Sequence, residues 1–233
     1  MNRDNASNLN YTNKISFMNK KILKSMIGPF RIGVTISKTL LFLWLKKDLR
    51  SIKGNVGIDL AGGSMMNKKF FKTKKYICVD LDNQKLKRGS DNFPDAIPIN
   101  DKIENFMKNY NQEKPDLLVC VQTMGINTKF NHDHTLIIIK MIYDLLKPGG
   151  SMVFNIGALG VNLPSIEKEL NNFFKLKFKS IKIYSYGFMN KTIDKPNSYL
   201  FFFLASLMSI FPPLRTCFGL NKTNIYCCFK KKL

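Results

Sequence analysis

The sequence is poor in cysteine, in acidic residues and in long hydrophobic runs. It has 5 cysteines in 233 residues and no Cys-x-x-Cys pair, which excludes a disulfide-stapled scaffold and a zinc site of paired cysteines. Its mean hydropathy of −0.13 excludes a polytopic membrane protein. A folded protein from a reducing compartment is predicted, because 45% apolar and 12% aromatic residues are too many for a disordered chain.

Basic residues far outnumber acidic ones. The chain has 37 Lys plus Arg against 16 Asp plus Glu, which gives a formal charge of +21. The lysines are scattered, so most are expected on solvated faces. An anionic membrane surface is the next interpretation, because basic residues flank apolar stretches towards both ends. Nucleic acid is a weaker one, since no RNP-like or helix-turn-helix pattern accompanies the charge.

Residues 1–52 are predicted to form an N-terminal helical cap. The pattern from Ile15 to Ile52 is helical, and its apolar run Thr39–Leu45 is followed by basic residues. That run is far shorter than the ~20 residues that span a bilayer, so we expect it to cap the domain or to lie in a membrane interface. Tyr199–Phe211 is also too short to span. It is expected to lie at an interface, cover a substrate or pack in the core.

From residue 53 onward, short apolar runs alternate with helical stretches, which is typical of βα units and a parallel sheet. The predicted strands are Val56–Leu60, Tyr76–Leu81, Ala96–Ile99, Asp116–Val121, Ser151–Ile156, Leu176–Tyr186 and Asn224–Phe229. The predicted helices are Met65–Phe71, Asn83–Ser90, Lys102–Tyr110, His134–Leu146 and Pro164–Phe174. The pattern predicts an α/β domain over residues 53–233 with a doubly wound, mostly parallel, Rossmann-like sheet. Its core is residues 54–157, and 158–233 adds C-terminal strands and an apolar insertion.

Acidic residues stand at the ends of the first two predicted strands. Asp59 precedes the small residues 61–63, and Asp80 ends the second strand. Small residues let a ligand approach the backbone at the carboxyl end of a strand, where open α/β sheets bind ligands. A carboxylate at Asp80 can accept hydrogen bonds from both hydroxyls of a ribose. The loop lacks the first and third glycines of a G-x-G-x-x-G pyrophosphate cradle, which disfavours a dinucleotide.

The strands, the acids at their ends and the loop of small residues follow one another as in the class I S-adenosylmethionine-dependent methyltransferases, which the chain resembles over about residues 54–157. The family's D-x-G-x-G motif stands here as Asp59-Leu-Ala-Gly-Gly63, its second-strand acid as Asp80 and its third-strand acid as Asp101. The fourth strand, 115–122, and Leu145-Leu-Lys-Pro-Gly-Gly150 also fit. The sequence departs from the family at Ala61 and Met65, where glycines are usual, and at 125–126, where many relatives carry Glu-His.

The resemblance implies S-adenosylmethionine as cofactor. Asp59 would organise the loop, Asp80 would hold the ribose and Leu81 would lie beside the adenine. The cofactor-binding residues that the resemblance implies are Asp59, Ala61, Gly62, Gly63, Asp80, Leu81, Asn100, Asp101 and Gln122. The chain also looks like small methyltransferases of bacterial surface-glycan biosynthesis, whose acceptor would be a sugar hydroxyl or a lipid-linked saccharide.

The two histidines of the chain, His132 and His134, flank Asp133 at the start of a predicted helix. Helices of a parallel sheet begin at the edge where ligands bind, so either histidine is a candidate general base for deprotonating a hydroxyl. Two imidazoles and one carboxylate are weak support for a metal site, and no metal is predicted. The bland interpretation is a helix N-cap with exposed histidines.

The sequence leaves three functions open. The first is a methyltransferase of a small-molecule or lipid-linked glycan acceptor, in the cytoplasm or peripheral at the inner face of the membrane. The second is an RNA methyltransferase, favoured by the charge alone. The third is a non-catalytic adaptor whose altered glycine loop no longer binds the cofactor. The oligomeric state is not determined by the sequence.

Overall fold

The computed structural model describes residues 36–126, 131–159, 161–175, 177–186, 207 and 223–233. Seven strands form one sheet: β1 (Lys53–Leu60), β2 (Lys72–Asp80), β3 (Ile97–Asn100), β4 (Leu117–Met124), β5 (Ser151–Gly157), β6 (Phe178–Tyr186) and β7 (Asn224–Lys231). Their spatial order is β3-β2-β1-β4-β5-β7-β6. Pairing is parallel from β3 through β5, whereas β7 runs antiparallel to both of its neighbours. The predicted α/β class with a mostly parallel, doubly wound sheet is confirmed.

The central strands are buried on both faces, as parallel strands between two helical layers must be. Val56, Ile58 and Leu60 of β1 face one apolar core, while neighbouring residues of the same sheet face the other. Every residue of β5 is buried. This double burial explains why these strands appear in the sequence as near-continuous apolar runs.

Helices cover both faces of the sheet. They are α1 (Ile36–Leu49), α2 (Asn83–Asn92), α3 (Ile103–Asn109), α4 (His132–Leu145) and α5 (Leu163–Lys175). Apolar residues of α3, α4 and α5 pack in one core, and those of α1 and α2 pack in the other. The residues just before α2 and α4 are Asp82 and Asn131, whose side chains accept the backbone N–H groups of Lys85 and His134. Such N-caps satisfy donors that a helix leaves unpaired.

The predicted helix over Met65–Phe71 is wrong. The chain instead makes successive tight turns and one 3₁₀ helix, Lys68–Phe70, before β2 begins. Backbone bonds there join residues three apart, such as Lys68 N–H to Met65 O at 3.1 Å. Parallel strands usually need a crossover of a dozen or more residues, and 61–71 is too short to hold a loop, an α-helix and a return. Phe70 and Phe71 are both buried, which ties the end of this segment to the core.

Helix α1 covers the face above this short connection. Its apolar side chains, Leu40, Leu41, Trp44, Leu45 and Leu49, are buried in the same core as Phe70 and Phe71. The Trp44 ring lies 5.3 Å from that of Tyr186 and 5.5 Å from that of Tyr226, centroid to centroid. Most of the run 39–45 is therefore inside the domain, whereas Phe42 and Leu43 are half-buried. No helix in the described ranges is long and apolar enough to cross a bilayer.

The remaining predicted strands and helices are found with boundaries shifted by a few residues, including the last two strands. The predictions for Ile15–Thr35 and for Tyr199–Phe211 fall outside the described residues, apart from residue 207.

Candidate functional site

The carboxyl ends of β2, β1 and β4 form one edge of the sheet, and the candidate site residues gather there. The order β2-β1-β4 places the switch in winding direction between β1 and β4. The helices that follow the strands on either side of this point lie on opposite faces of the sheet, which leaves a crevice at the strand ends.

The loop after β1 is bent by residues with positive φ. Ala61 has a φ of 55°, Gly63 of 52° and Met65 of 59°, so the two positions at which the chain departs from the family's glycines keep the backbone conformation that favours glycine. Gly62 is required for a different reason, since a Cβ there would lie 2.7 Å from Asp59 Oδ2. The Gly62 N–H donates to Val79 O at 3.3 Å and so holds the loop against the end of β2.

Met65 does not crowd the crevice. Its side chain is fully buried and enters a notch in α2, where a Cβ on Gly89 would lie 2.7 Å from Met65 Cγ. A glycine on the helix therefore accommodates the bulk that replaces a glycine in the loop. The crevice stays open towards Gly63.

Replacing Ala61 by glycine is expected to stabilise the protein. A left-handed conformation costs an L-residue about 1–2 kcal/mol, and part of that gain is lost to the greater entropy of glycine in the unfolded chain, so we expect a net gain of about 0.5–1 kcal/mol. The check is urea-induced unfolding followed by circular dichroism. Gly62→Ala is the control with the opposite expected sign, because the added methyl group would clash with Asp59 and destabilise the protein. Equal effects of the two substitutions would contradict the described loop.

Asp80 is anchored at the end of β2 by the loop itself. The Gly63 N–H donates to Asp80 Oδ2 at 2.8 Å, and the Asp82 N–H donates to Asp80 Oδ1 at 2.8 Å. Each oxygen keeps a further acceptor position, because a carboxylate has about four lone-pair sites. The half-buried carboxylate is thus fixed in orientation and available to two hydroxyl donors.

Leu81 and Asn100 complete this part of the site. Leu81 is a large apolar side chain that is 67% exposed. The Asn100 Nδ2 donates to Asp80 O and to Leu81 O, both at 3.0 Å, and so holds the β2 end against β3. Asp101 begins the next turn, where its Oδ1 accepts the Lys102 N–H at 2.7 Å. An exposed apolar side chain beside an anchored carboxylate is suited to a flat ring attached to a ribose.

Gln122 stands at the end of β4 with an exposed side chain and a φ of 62°. The pairing of β4 with β5 is irregular between Cys120 and Met124. At this irregularity the Gln122 N–H donates to Asn155 Oδ1 at 2.6 Å. The bend therefore leaves the Gln122 side chain at the sheet edge beside the crevice.

Asp59 lies behind the crevice rather than in it. Its carboxylate is fully buried and accepts the Tyr76 hydroxyl at 2.7 Å and Asn67 Nδ2 at 3.2 Å. Since Asn67 belongs to the loop, Asp59 fixes the loop from below. Burial raises the pKa of Asp59 to about 7, partly offset by these two hydrogen bonds.

The Asp59→Asn variant is expected to lose a pH dependence of stability. Because the folded pKa of about 7 lies above the ordinary value near 4, the folded state binds this proton more tightly. The contribution of this carboxyl group to the unfolding free energy is fully present below pH 4 and is lost as the pH rises to 7. Between pH 5 and 8, we expect the unfolding free energy of Asp59→Asn to rise relative to the native protein by about 2–3 kcal/mol.

This difference is measured by urea unfolding of both proteins at pH 5, 6.5 and 8, since other titrating groups cancel between them. Parallel pH profiles would contradict the raised pKa.

Each of the two histidines is paired with a carboxylate of a neighbouring helix. His132 Nε2 lies 2.8 Å from Glu169 Oε1 of α5, and His134 Nε2 lies 2.7 Å from Glu104 Oε1 of α3. Among the described residues, no three His, Cys, Asp or Glu side chains converge as metal ligands. These pairs join α4 to α5 and to α3.

The sequence did not identify several polar residues that build the site. Tyr76 and Asn67 hold Asp59, Glu104 holds His134, and Asn155 holds the bend at Gln122. Asn155 lies inside an apolar strand, which is the one local signal that could have identified it, because an amide in a buried strand must find partners.

Comparisons with known proteins identify the fold. No family model and no curated protein matches the sequence. Among solved structures, an rRNA methylase from Streptococcus thermophilus is 16% identical with a TM-score of 0.56, over 82% of this chain and 97% of that one. The N-methyltransferase NodS from Bradyrhizobium japonicum is 11% identical with a TM-score of 0.56, over 85% and 97%.

The plantazolicin methyltransferase BpumL, solved with S-adenosylhomocysteine and a desmethylplantazolicin analogue, is 11% identical with a TM-score of 0.53, over 83% and 85%. This chain therefore has the Rossmann-like fold of these methyltransferases.

Proposed function

We propose that this protein is an S-adenosylmethionine-dependent methyltransferase. The observation that carries the proposal is the anchoring of Asp80 by the Gly63 N–H at 2.8 Å, next to the exposed Leu81 at the switch point of a methyltransferase fold. Both of the carboxylate's remaining acceptor positions suit the two hydroxyls of a ribose.

The residues at the crevice fit this cofactor. Gly62 leaves no room for a side chain between the loop and Asp59, and the buried Met65 leaves the crevice clear. Asp80 would hold the ribose, Leu81 would cover one face of the adenine, and Asn100 would keep these two residues in place. When bound, the cofactor supplies a methyl group on a sulfonium, which is already a good electrophile.

The protein's own contribution to methyl transfer is orientation and the exclusion of water. Holding two reactants in line can supply several kcal/mol of a bimolecular barrier, so activity does not depend on an assigned general base. The proton that a hydroxyl acceptor loses on methylation would pass to water. The carboxylate partners of His132 and His134 bind Nε2 of each ring, which orients the imidazoles and joins the helices. The second ring nitrogen of an imidazole can still accept a proton, so the pairing is compatible with a base as well as with helix packing.

Calorimetric titration with S-adenosylhomocysteine tests the proposal. We expect saturable binding in the micromolar range by the purified, folded protein. Absence of binding by protein with a cooperative unfolding transition would overturn it and support the adaptor function, in which the fold is kept without the cofactor.

For the acceptor, we propose a sugar hydroxyl or lipid-linked saccharide at an anionic membrane surface, with the protein acting from the cytoplasm. The support is the +21 charge and the apolar stretch at 199–211 of the sequence. Co-sedimentation with vesicles tests the membrane contact. Recovery should be greater with anionic than with neutral lipid, and equal recovery would contradict it.

An RNA methyltransferase is the second candidate. It is favoured by the same charge and by the similarity to an rRNA methylase, although BpumL is named for a different acceptor, plantazolicin. Phosphate contacts make RNA binding fall steeply with salt. Binding of total RNA that is lost between 50 and 200 mM salt, together with methyl incorporation into that RNA, would favour this candidate over a small acceptor.

A further inference from the structure

A cavity of about 290 Å³ lies at the amino ends of the parallel strands, at the edge of the sheet opposite the crevice. Its wall includes Lys53 at the start of β1, Ser151 at the start of β5 and Lys230 near the end of the antiparallel β7. Asp48 in the last turn of α1 and Lys182 of β6 line it as well. We call it the amino-edge cavity. Its volume is close to the lower limit of small-molecule pockets, which is about 300 Å³.

The amino-edge cavity is remote from the cofactor crevice. Lys53 and Leu60 are the two ends of the 8-residue strand β1, and a strand rises about 3.3 Å per residue. About 25 Å therefore separates the cavity from the level of Asp80. A small molecule in this cavity does not reach a cofactor held at Asp80, so it would be neither methyl donor nor methyl acceptor.

The two carboxylates in the wall of the cavity are already compensated. Asp48 accepts Lys182 Nζ at 2.5 Å through Oδ1 and the Tyr226 hydroxyl at 2.9 Å through Oδ2. Asp116 pairs with Lys147 through Oδ1, and its Oδ2 accepts two backbone N–H groups of β1. Every carboxylate oxygen in the wall therefore has a partner, and each acid is matched by one lysine.

Two lysines of the wall have no such compensation. Lys53 and Lys230 are exposed, and neither pairs with a carboxylate of any described residue. Lys53 also stands opposite Lys72 in the pairing of β1 with β2, and like charges that face each other across a sheet are unfavourable. Two positive charges therefore remain at the cavity once each acid is paired with its lysine.

The unpaired lysines enter the wall from two sides. Since β4 and β5 lie between β1 and β7 in the sheet, three strand spacings place β1 and β7 about 14 Å apart. Ser151 lies between Lys53 and Lys230, and its hydroxyl has no hydrogen bond with any described residue. Lysine ammonium groups and hydroxyls both donate to phosphate oxygens. Two separated cations with a hydroxyl between them suit an anion with two charged groups.

The end of helix α1 does not oppose an anion at this place. The partial negative charge of a helix macrodipole lies at its C-terminal end, which here is the end beside the cavity. The last turn of α1 carries Lys46 and Lys47, and Arg50 follows the helix. These cations offset the charge of the last carbonyl groups.

We infer that the amino-edge cavity is a second ligand site, and that it binds a diphosphate ester. Lys53 and Lys230 bind its two phosphates, and the Ser151 hydroxyl donates to an oxygen between them. The site takes no part in methyl transfer, so the inference goes beyond the proposed function and does not rest on it. The diphosphate belongs either to a soluble molecule or to the headgroup of a membrane lipid, and the experiments distinguish the two sources.

Calorimetric titration with inorganic pyrophosphate at constant ionic strength is the first test. We expect one saturable site in the native protein, with pyrophosphate bound at least tenfold more tightly than orthophosphate. Binding should be at least tenfold weaker in the double variant Lys53→Gln/Lys230→Gln. The control Lys87→Gln/Lys168→Gln removes the same charge from exposed positions of α2 and α5 and should bind as the native protein does. Absence of a saturable site, or equal losses in the two double variants, would overturn the inference.

The stability of the same proteins shows whether the lysines act on the ligand or on the fold. In phosphate-free buffer both double variants should melt as the native protein does, because exposed substitutions usually change stability little. Saturating pyrophosphate should raise the melting temperature of the native protein and of the control, since it binds only the folded state. That rise should be absent in Lys53→Gln/Lys230→Gln, and an undiminished rise would contradict the site.

Backbone amide NMR locates the bound pyrophosphate. We expect the signals of Gly149 and Ser151, which line the cavity, to shift with the affinity that calorimetry gives. Shifts confined to Gly63 and Leu81 would place the anion in the cofactor crevice and overturn the inference.

Co-sedimentation with phosphatidylcholine vesicles that contain a polyprenyl diphosphate distinguishes the two sources. Binding to these vesicles that Lys53→Gln/Lys230→Gln loses would assign a lipid headgroup to the site. Recovery equal to that with plain phosphatidylcholine, together with binding of pyrophosphate, would assign a soluble diphosphate. Salt-sensitive binding of total RNA through the two lysines, without binding of pyrophosphate, would overturn the inference in favour of a nucleic-acid surface.

Calorimetry with S-adenosylhomocysteine separates this inference from the proposed function. We expect equal affinities in the native protein and both double variants, since about 25 Å separates the cavity from the level of Asp80. A native protein that binds pyrophosphate but not S-adenosylhomocysteine would refute the proposed function and leave the diphosphate site standing.

Discussion

An Asp80→Ala variant is expected to bind S-adenosylhomocysteine about 100-fold more weakly than the native protein, or worse. The substitution removes two hydrogen bonds from a carboxylate to the ribose, each worth about 1.5–3 kcal/mol. It also releases the Gly63 N–H, which donates to Asp80 Oδ2 at 2.8 Å, so the loop after β1 loses its attachment to the end of β2. A loss of about 3 kcal/mol corresponds to a factor above 100 in affinity.

Asp82→Ala is the matched control for this experiment. Asp82 follows the same strand but is exposed, and its carboxylate caps α2 by accepting the Lys85 N–H at 3.0 Å. Its loss should cost about 1 kcal/mol of stability and change the affinity little. Calorimetric titrations of the three proteins at one temperature give the comparison. Equal affinities for the two variants would show that the cofactor is held elsewhere.

A Trp44→Ala variant is expected to lose about 3–5 kcal/mol of unfolding free energy. The Trp44 side chain is 2% exposed and packs between Tyr186 and Tyr226, so its removal leaves a cavity between α1 and the sheet. Urea unfolding followed by circular dichroism measures the loss.

Lys47→Ala tests whether this effect belongs to the buried face of α1. Lys47 is exposed on the same helix, and exposed substitutions usually change stability by less than 0.5 kcal/mol. A loss below about 1 kcal/mol in Trp44→Ala, or an equal loss in both variants, would contradict the packing of α1 as part of the core.

The importance of α1 follows from the short connection between β1 and β2. A βα unit usually places its own helix over its strands, but residues 61–71 form only turns and the 3₁₀ helix Lys68–Phe70. The face above them would expose apolar residues without another cover. Helix α1 supplies that cover from the N-terminal side of the chain.

Helix α1 also contacts β6 and β7, the two strands at the edge of the sheet farthest from β3. Asp48, 5% exposed, accepts the Tyr226 hydroxyl at 2.9 Å and Lys182 Nζ at 2.5 Å. These contacts attach the helix to β6 and β7.

The sequence by itself determined the strands of the parallel core and the acids at their ends. A strand buried on both faces must be apolar along its whole length, so β1, β4 and β5 were visible as local runs. Asp80 was a candidate because parallel strands bring their carboxyl ends to one edge, whereas Leu81 and Asn100 were implied by the resemblance to methyltransferases. The order of these elements was sufficient to predict the fold class.

Only the tertiary structure decided which polar groups meet. The resemblance implied that Asp59 organises the loop, but the sequence did not show that Tyr76 and Asn67 hold its carboxylate beneath that loop. The helix predicted over Met65–Phe71 had adequate local pattern and was excluded by the length of the crossover and the burial of its phenylalanines. Pairing of Asn155 with Gln122, and the approach of Tyr186 to α1, join residues far apart in the chain. Such contacts depend on sheet order and packing, which local patterns do not encode.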